Sequence, residues 1–298
     1  MPTAARSEPV YLDYTQEELD RCYDQRIWAA NAAAIIARYG ETSAQARAST
    51  RHIPDIAYGP HADQRLDLFL ADADRAPVHI HLHGGAWRSL DKGDASLVAP
   101  PLVSSGAHVI VPGFSNLPGV RLPEMVAQVG ECVAWAHRHA VAHGGDPHRI
   151  TISGHSSGAH LAAVLLTTDW EARGLPAHVL TGGLCLSGSY DLEPVMLSSR
   201  RHYIDLADHE VHQLSPILHV ARLRCPVMVG MAEAESPEFR RQGVAFASEV
   251  EKRGGELARL EGAGLNHFEV ALELADARSS AATALKRLVH GSICDYRA

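Results

Sequence analysis

Long apolar runs are missing from this sequence. The best of them, Leu161-Ala-Ala-Val-Leu-Leu166 with Ala159 just before it, falls far short of the roughly 20 residues that a transmembrane helix needs. A soluble protein with no membrane partner is therefore expected. The first ten residues, Met1 to Val10, carry a single Arg and no apolar core, so no secretory signal is readable. Cysteine is scarce: Cys22, Cys132, Cys185, Cys225 and Cys294 are odd in number, widely scattered and never in a C-x-x-C pair. That excludes a disulfide framework and a cysteine zinc site, and reads as a cytoplasmic protein. Positive charge is short as well, with 27 Lys plus Arg against 35 Asp plus Glu for a net charge of −8, which argues against nucleic acid as a partner. Only three of the basic residues are lysines, and no function follows from that bias. There is no internal repeat, low-complexity tract or long linker.

What is present is ordinary globular material, 46% apolar and 21% charged over 298 residues. Chains of this length are often two domains, but α/β folds run to roughly 250 residues as one unit, and one domain over residues 1–298 is expected. Thr15-Gln-Glu-Glu18 is a capping box followed by Leu19, Tyr23, Ile27 and Trp28 at helical spacing, which predicts a helix over 15–39. The apolar period then shortens, predicting strands at 53–58, 66–70 and 78–82, with an antiparallel start and a polar turn at 71–75 joining the second and third. Strand and helix alternate afterwards: strands at 108–112, 149–153, 179–187, 226–231 and 257–260, and helices at 122–143, 158–168, 236–253 and 268–290. The reading is an α/β fold with a mostly parallel eight-stranded sheet, helices on both faces, an N-terminal helical extension over 11–49 and a cap-like insertion at about 188–224.

Gly154-His-Ser-Ser-Gly158 falls where a strand runs into a helix. A serine forced into such a strained turn needs glycines two residues to either side, and the turn lifts its Oγ clear of the sheet above a helix N-terminus. Ser156 is thus the candidate nucleophile. His83-Gly84-Gly85-Ala86-Trp87 ends an early strand, where backbone N–H groups of Gly84, Gly85 and Ala86, with that of Ser157, could form an oxyanion hole; a plain Gly-Gly turn is the alternative. The chain order serine, acid, histidine points to His267 as base, since it lies between the last strand and the last helix. Glu235, directly before the helix start Ser236-Pro237, and Glu233 both sit where the acid belongs, and Asp191 follows the preceding strand. His79, His81 and His83 alternate on one strand face but have no carboxylate at a fixed spacing, so no metal or other cofactor is expected. His160, one turn after Ser156, reads as packing. Trp87, Phe114, Asn116 and Tyr203 are candidate substrate-binding residues, and Arg200 and Arg201 could pair with a substrate carboxylate or form a solvated face.

Together His83-Gly-Gly-Ala-Trp87, Gly154-His-Ser-Ser-Gly-Ala-His160, Ser187-Gly-Ser-Tyr-Asp-Leu192, Glu235-Ser-Pro-Glu-Phe239, Asn266-His-Phe268 and the early Glu17-Glu-Leu-Asp-Arg21 resemble the kynurenine formamidases (arylformamidases) of the α/β-hydrolase fold, over about residues 11–290. The resemblance implies a Ser156–His267–Glu235 triad, a small aromatic amide or ester as substrate, and a homodimer. The chain departs from that family at Glu235, where Asp is usual, at Ala86, where an aromatic is common, and at Phe114-Ser-Asn116, which stands in place of a Tyr-containing stretch. These changes lie beside the acyl pocket, so an N-acyl anthranilate is implied as readily as N-formylkynurenine. A carboxylesterase acting on small esters and a non-catalytic binding protein of the same fold are the other readings.

Overall fold

A computed structural model describes residues 8–291; Cys294 and the start of the chain, on which the signal reading rests, lie outside them. Two helices lead, α1 (Gln16–Tyr23) and α2 (Ala32–Ser49). Strands β1 (His52–Ala57), β2 (Arg65–Phe69) and β3 (Ala76–Leu82) follow, then α3 (Ala99–Val103), β4 (His108–Pro112), α4 (Leu122–His139), β5 (Gly145–His155), α5 (Ser157–Leu166) and β6 (Gly182–Leu186). The insertion holds α6 (Glu193–Leu197) and α7 (Asp208–Gln213) with short 3-10 turns. The chain closes with β7 (Val227–Ala232), α8 (Pro237–Lys252), β8 (Leu257–Gly262), α9 (Glu269–Leu272) and α10 (Ser280–Val289).

The eight strands form one sheet in the order β1-β2-β4-β3-β5-β6-β7-β8. The β1–β2 and β2–β4 pairs are antiparallel and the remaining five are parallel. Interior strands such as β4 and β7 are apolar on both faces because both faces are covered: on β4, Ile110 joins one core while Val109 and Val111 join the other, and on β7 Val229 and Met228 divide in the same way. The edge strand β8 instead alternates buried Ala258 and Leu260 with exposed Arg259 and Glu261. This sheet is the α/β-hydrolase architecture.

Four expectations need correction. The helix predicted over 15–39 is broken at 24–31, where the Asp24 carboxylate accepts the Arg26 N–H at 3.2 Å and nucleates a 3-10 turn. Asn31 there is tied to Asn266 and Glu269, so tertiary contacts override the periodicity. The helix predicted over 268–290 is split at 276–279, where Asp276 caps a turn and Ser279 accepts the Ala282 N–H at 3.0 Å to start α10 afresh. Strands β2 and β3, joined by the 71–75 turn, are not neighbours; β4 lies between them. Finally, β6 starts at Gly182 rather than 179, because a turn in which the Val179 N–H bonds the Pro176 carbonyl occupies its start.

Candidate active site

The parallel register sets Leu82 beside Gly154, so the chain leaving β3 (His83-Gly84-Gly85) runs beside the chain leaving β5 (His155-Ser156). Between β5 and α5, Ser156 sits at φ 56° and ψ −121°, a conformation that a non-glycine residue holds only when its surroundings dictate it. The flanking glycines explain how: a Cβ on Gly158 would stand 2.2 Å from the Leu82 carbonyl oxygen, and one on Gly154 would stand 2.1 Å from that of Gly158. The Ser156 N–H donates to the Leu186 carbonyl at 2.9 Å, pinning the turn to β6.

His267, on the loop between β8 and α9, reaches this serine. Its Nδ1–H donates to Glu235 Oε1 at 2.8 Å, and Ser156 Oγ–H donates to its Nε2 at 2.9 Å. Because a carboxylate accepts, the Nδ1 proton is fixed and Nε2 keeps its lone pair turned to the hydroxyl. The imidazole is held edge-on between Phe239 and Phe268, with centroids at 5.1 and 5.2 Å. All three side chains are buried. Glu235 precedes Ser236, whose hydroxyl caps α8, and its Oε2 has no partner among the described residues. Glu233 is exposed, its carboxylate accepting the Gly264 N–H at 2.7 Å. Asp191 caps the Glu193 N–H at 3.0 Å.

Facing Ser156, the chain turns sharply at Gly85 (φ 109°), Ala86 (φ 53°) and Trp87 (φ 60°). Gly85 and Ala86 line the same cavity as Ser156, and neither N–H donates to a protein acceptor among the described residues. Gly84 lies under the serine, where a Cβ would be 2.9 Å from the His155 carbonyl oxygen. Ser157 is the first residue of α5, where backbone N–H groups lack intrahelical acceptors. N–H groups from two segments, at a helix N-terminus, suit a developing oxyanion.

The cavity encloses about 510 Å³. Of the four candidate substrate-binding residues, only Tyr203 lines it. Trp87 is in the core, turned inward by the left-handed residues beside it, with its indole N–H donating to His160 Nδ1 at 3.2 Å. Phe114 stacks on His83 at 4.1 Å, and Asn116 donates to the Leu90 carbonyl at 3.0 Å. Both border a separate hollow with Asp55 and Lys92. Arg201 is exposed, but Arg200 is not on a solvated face: it is 8% exposed and lines the cavity.

Other contributors carried no local signal. His155 donates from Nε2 to the His267 carbonyl at 2.7 Å, and burial and the neighbouring imidazole hold it neutral, well below the usual histidine range. Tyr23, Gln25 and Tyr39 bring the N-terminal helices onto the site, and Arg88 stacks over Tyr203 at 4.3 Å. His79 and His81 are locked against Thr151 and Ser153 by bonds of 2.7 to 2.9 Å. Among the described residues no helix is long and apolar enough to cross a membrane.

The chain is a hydrolase of the α/β-hydrolase class. The BD-FAE family model matches residues 66–179. A crystal structure of a candidate thioesterase from Silicibacter sp. tm1040 superposes with a TM-score of 0.80 at 26% identity, over 92% of this chain and 99% of the other. Kynurenine formamidase of Danio rerio is 28% identical over 275 residues, 88% of this chain and 92% of the relative. Esterase LipQ of Mycobacterium tuberculosis is 37% identical over a shorter stretch, 37% of this chain and 28% of its own. Within its class the chain is similar over most of its length to the kynurenine formamidases.

Proposed function

We propose that the protein is a serine hydrolase that cleaves an aryl amide through an acyl-enzyme. The observation carrying this reading is the single imidazole of His267, bonded to Ser156 Oγ on one side and to Glu235 on the other. His267 Nε2 takes the Ser156 proton as Oγ attacks the carbonyl carbon, and Glu235 stabilises the resulting imidazolium. The carbonyl electron pair moves onto oxygen and is received by the N–H groups of Gly85, Ala86 and Ser157. Collapse of the adduct breaks the C–N bond as His267 returns the proton to the departing amine. Water, activated by the same imidazole, then clears the acyl group from Ser156.

The amide preference draws on the likeness to the formamidase of Danio rerio and on chemistry: an aryl amine leaves more readily than an alkyl amine because its lone pair delocalises into the ring. A small-ester hydrolase is the second reading, favoured by the local likeness to esterase LipQ. The four described cysteines are all free, which supports a cytoplasmic setting. A serine-directed fluorophosphonate should label the protein and fail to label Ser156→Ala, and N-formylkynurenine and N-formyl-2-aminobenzoate should both be tried beside p-nitrophenyl acetate. Labelling that survives in Ser156→Ala would overturn the nucleophile assignment, and turnover of the acetate with neither amide would leave the esterase reading.

A further inference from the structure

The 3-10 turn after α6 places Arg200 against the cavity with only 8% of its surface exposed. One of its nitrogens donates to the Tyr23 carbonyl at 2.8 Å, and its guanidinium carbon stands 5.3, 5.5 and 5.6 Å from the ring centroids of Tyr23, Trp87 and Phe239. Among the described residues no carboxylate forms an ion pair with it. Elsewhere the same chain treats screened cations differently: Arg241 meets Glu238 with two bonds of 2.7 and 2.8 Å, and Lys92 is flanked by Asp55 and Asp67. Withdrawing a charge from water without a counter-charge is costly, and a guanidinium carries five donors in a fork that matches a carboxylate. Arg200 lines the cavity, and none of its nitrogens is among the sealed, unpartnered polar atoms, so its donors not bonded to protein are accessible. The Arg200 guanidinium carbon and the His267 imidazole stand 5.6 and 5.1 Å from the same ring, that of Phe239, so the cation and the imidazole share a neighbour.

The rest of the cavity carries the same sign. Arg26 and Arg88 are on its wall against one carboxylate, Asp24, which accepts the Arg26 N–H; all three are exposed. Glu235 is engaged behind His267. A chain of net charge −8 therefore surrounds its serine with excess positive charge, a field that favours anions and offers an ammonium group no buried acceptor.

We propose that the substrate carries one carboxylate and no compensating ammonium, and that Arg200 binds this carboxylate while Ser156 attacks the acyl group on the same aromatic ring system. Monoanionic N-acyl aminobenzoates fit this description, and zwitterionic aryl-amide amino acids fit it less well. The proposal rests on Ser156 as nucleophile but not on the choice between amide and ester.

The test compares kcat/KM for N-formyl-2-aminobenzoate, its carboxamide N-formyl-2-aminobenzamide, and N-formylkynurenine, with 2-acetoxybenzoate and 2-acetoxybenzamide as the matching ester pair. The wild type should favour the acid over its carboxamide by on the order of 10²-fold in at least one pair, because the neutral analogue leaves the buried guanidinium unpaired. The zwitterion should fall below the acid. Arg200→Gln should bring the acid-to-carboxamide ratio towards one, and Arg200→Lys should keep part of it. The wild-type comparison holds even where a variant fails to fold. Equal turnover of acid and carboxamide by a protein that the fluorophosphonate labels at Ser156 would overturn this inference and leave the hydrolase reading standing, whereas absence of labelling would overturn the hydrolase reading itself.

Discussion

The wall of the cavity that carries Ser156, His155, Gly85 and Ala86 comes from two segments already adjacent in the sheet. The opposite wall brings Tyr23, Gln25 and Tyr39 from the N-terminal helices together with Arg200 and Tyr203 from the insertion between β6 and β7. On the sheet side, register and crowding set the geometry: Gly158 packs on β3 and Ser156 is held at φ 56°. On the other side, position depends on side-chain hydrogen bonds between residues more than 200 apart in sequence, such as Gln25 to Ser236 and Asn31 to Asn266. Under the proposed mechanism the sheet side supplies the chemistry and the other side supplies alignment and selectivity.

The sharpest test of that division lies in the two glutamates of the loop after β7. Glu235→Gln keeps the shape of the acid but removes the charge that supports a protonated His267, and kcat should fall by about 10³ to 10⁴. Glu233→Gln alters an exposed carboxylate whose bond is to Gly264, and kcat should stay within about threefold. Steady-state kinetics on any substrate that the wild type turns over reads both. A large loss in Glu233→Gln with little in Glu235→Gln would reverse the assignment of the acid.

Acid should break the sheet side first. His79, His81, His83, His155 and His160 are all buried in or beside β3, β5 and α5. Burial pushes His81 down to about 3 and His83 and His160 to about 4, from an ordinary 6.5. Their native state stays neutral where the unfolded chain takes up protons. The stability they contribute is therefore fully present above pH 6.5 and is lost as pH falls from there towards 4, at roughly 1.4 kcal/mol per pH unit for each histidine. Between pH 6.5 and 5 ordinary carboxylates scarcely titrate, so urea midpoints measured across that window isolate the effect. Midpoints unchanged from pH 7 to pH 5 would show that these imidazoles are not held neutral.

The same division accounts for what could be read in advance. That Ser156, His267 and Glu235 come together, joined by bonds of 2.9 and 2.8 Å, was legible because each sits at a local signature: a strained elbow between glycines, a loop before the last helix, and a residue preceding a helix cap. The strands were visible by two signals, short apolar runs where both faces are buried, as on β4 and β7, and alternation where one face is exposed, as on β8. Trp87 does not line the cavity around Ser156, because left-handed residues from Gly85 to Trp87 leave the wall to Gly85, Ala86 and Arg88, and φ is not written in the residue types; Phe114 and Asn116 line a separate hollow. The break at 24–31 was hidden because its cause lies in Asn266 and Glu269, far along the chain. For Arg200 and Arg201 the sequence favoured a solvated face over a bound carboxylate; Arg201 is exposed, but Arg200 is buried against the cavity.

The N-terminal helices offer the finest cut between alignment and chemistry. Gln25 Nε2–H donates to Ser236 Oγ and to the Cys22 carbonyl, both at 2.7 Å, and Gln25 Oε1 accepts the Ser236 N–H at 3.3 Å; Ser236 directly follows Glu235. Tyr39 Oη–H donates to the carbonyl of Phe268 at 2.6 Å, directly after His267. One N-terminal stretch thus bonds to both the Glu235 loop and the His267 loop, and under the proposed mechanism Gln25 is a positioning residue. Gln25→Ala strands the Ser236 N–H in a buried site, which should cost about 1–3 kcal/mol of stability and let Glu235 drift relative to His267. A misplacement well under 1 Å is enough to slow the reaction, so kcat should fall by about tenfold while KM changes less, an effect far below that of Glu235→Gln. Gln25→Glu, which can still accept the Ser236 N–H, should recover part of kcat. A variant that loses stability yet keeps the wild-type kcat at temperatures where it stays folded would show that these bonds support the fold and leave the triad to align itself.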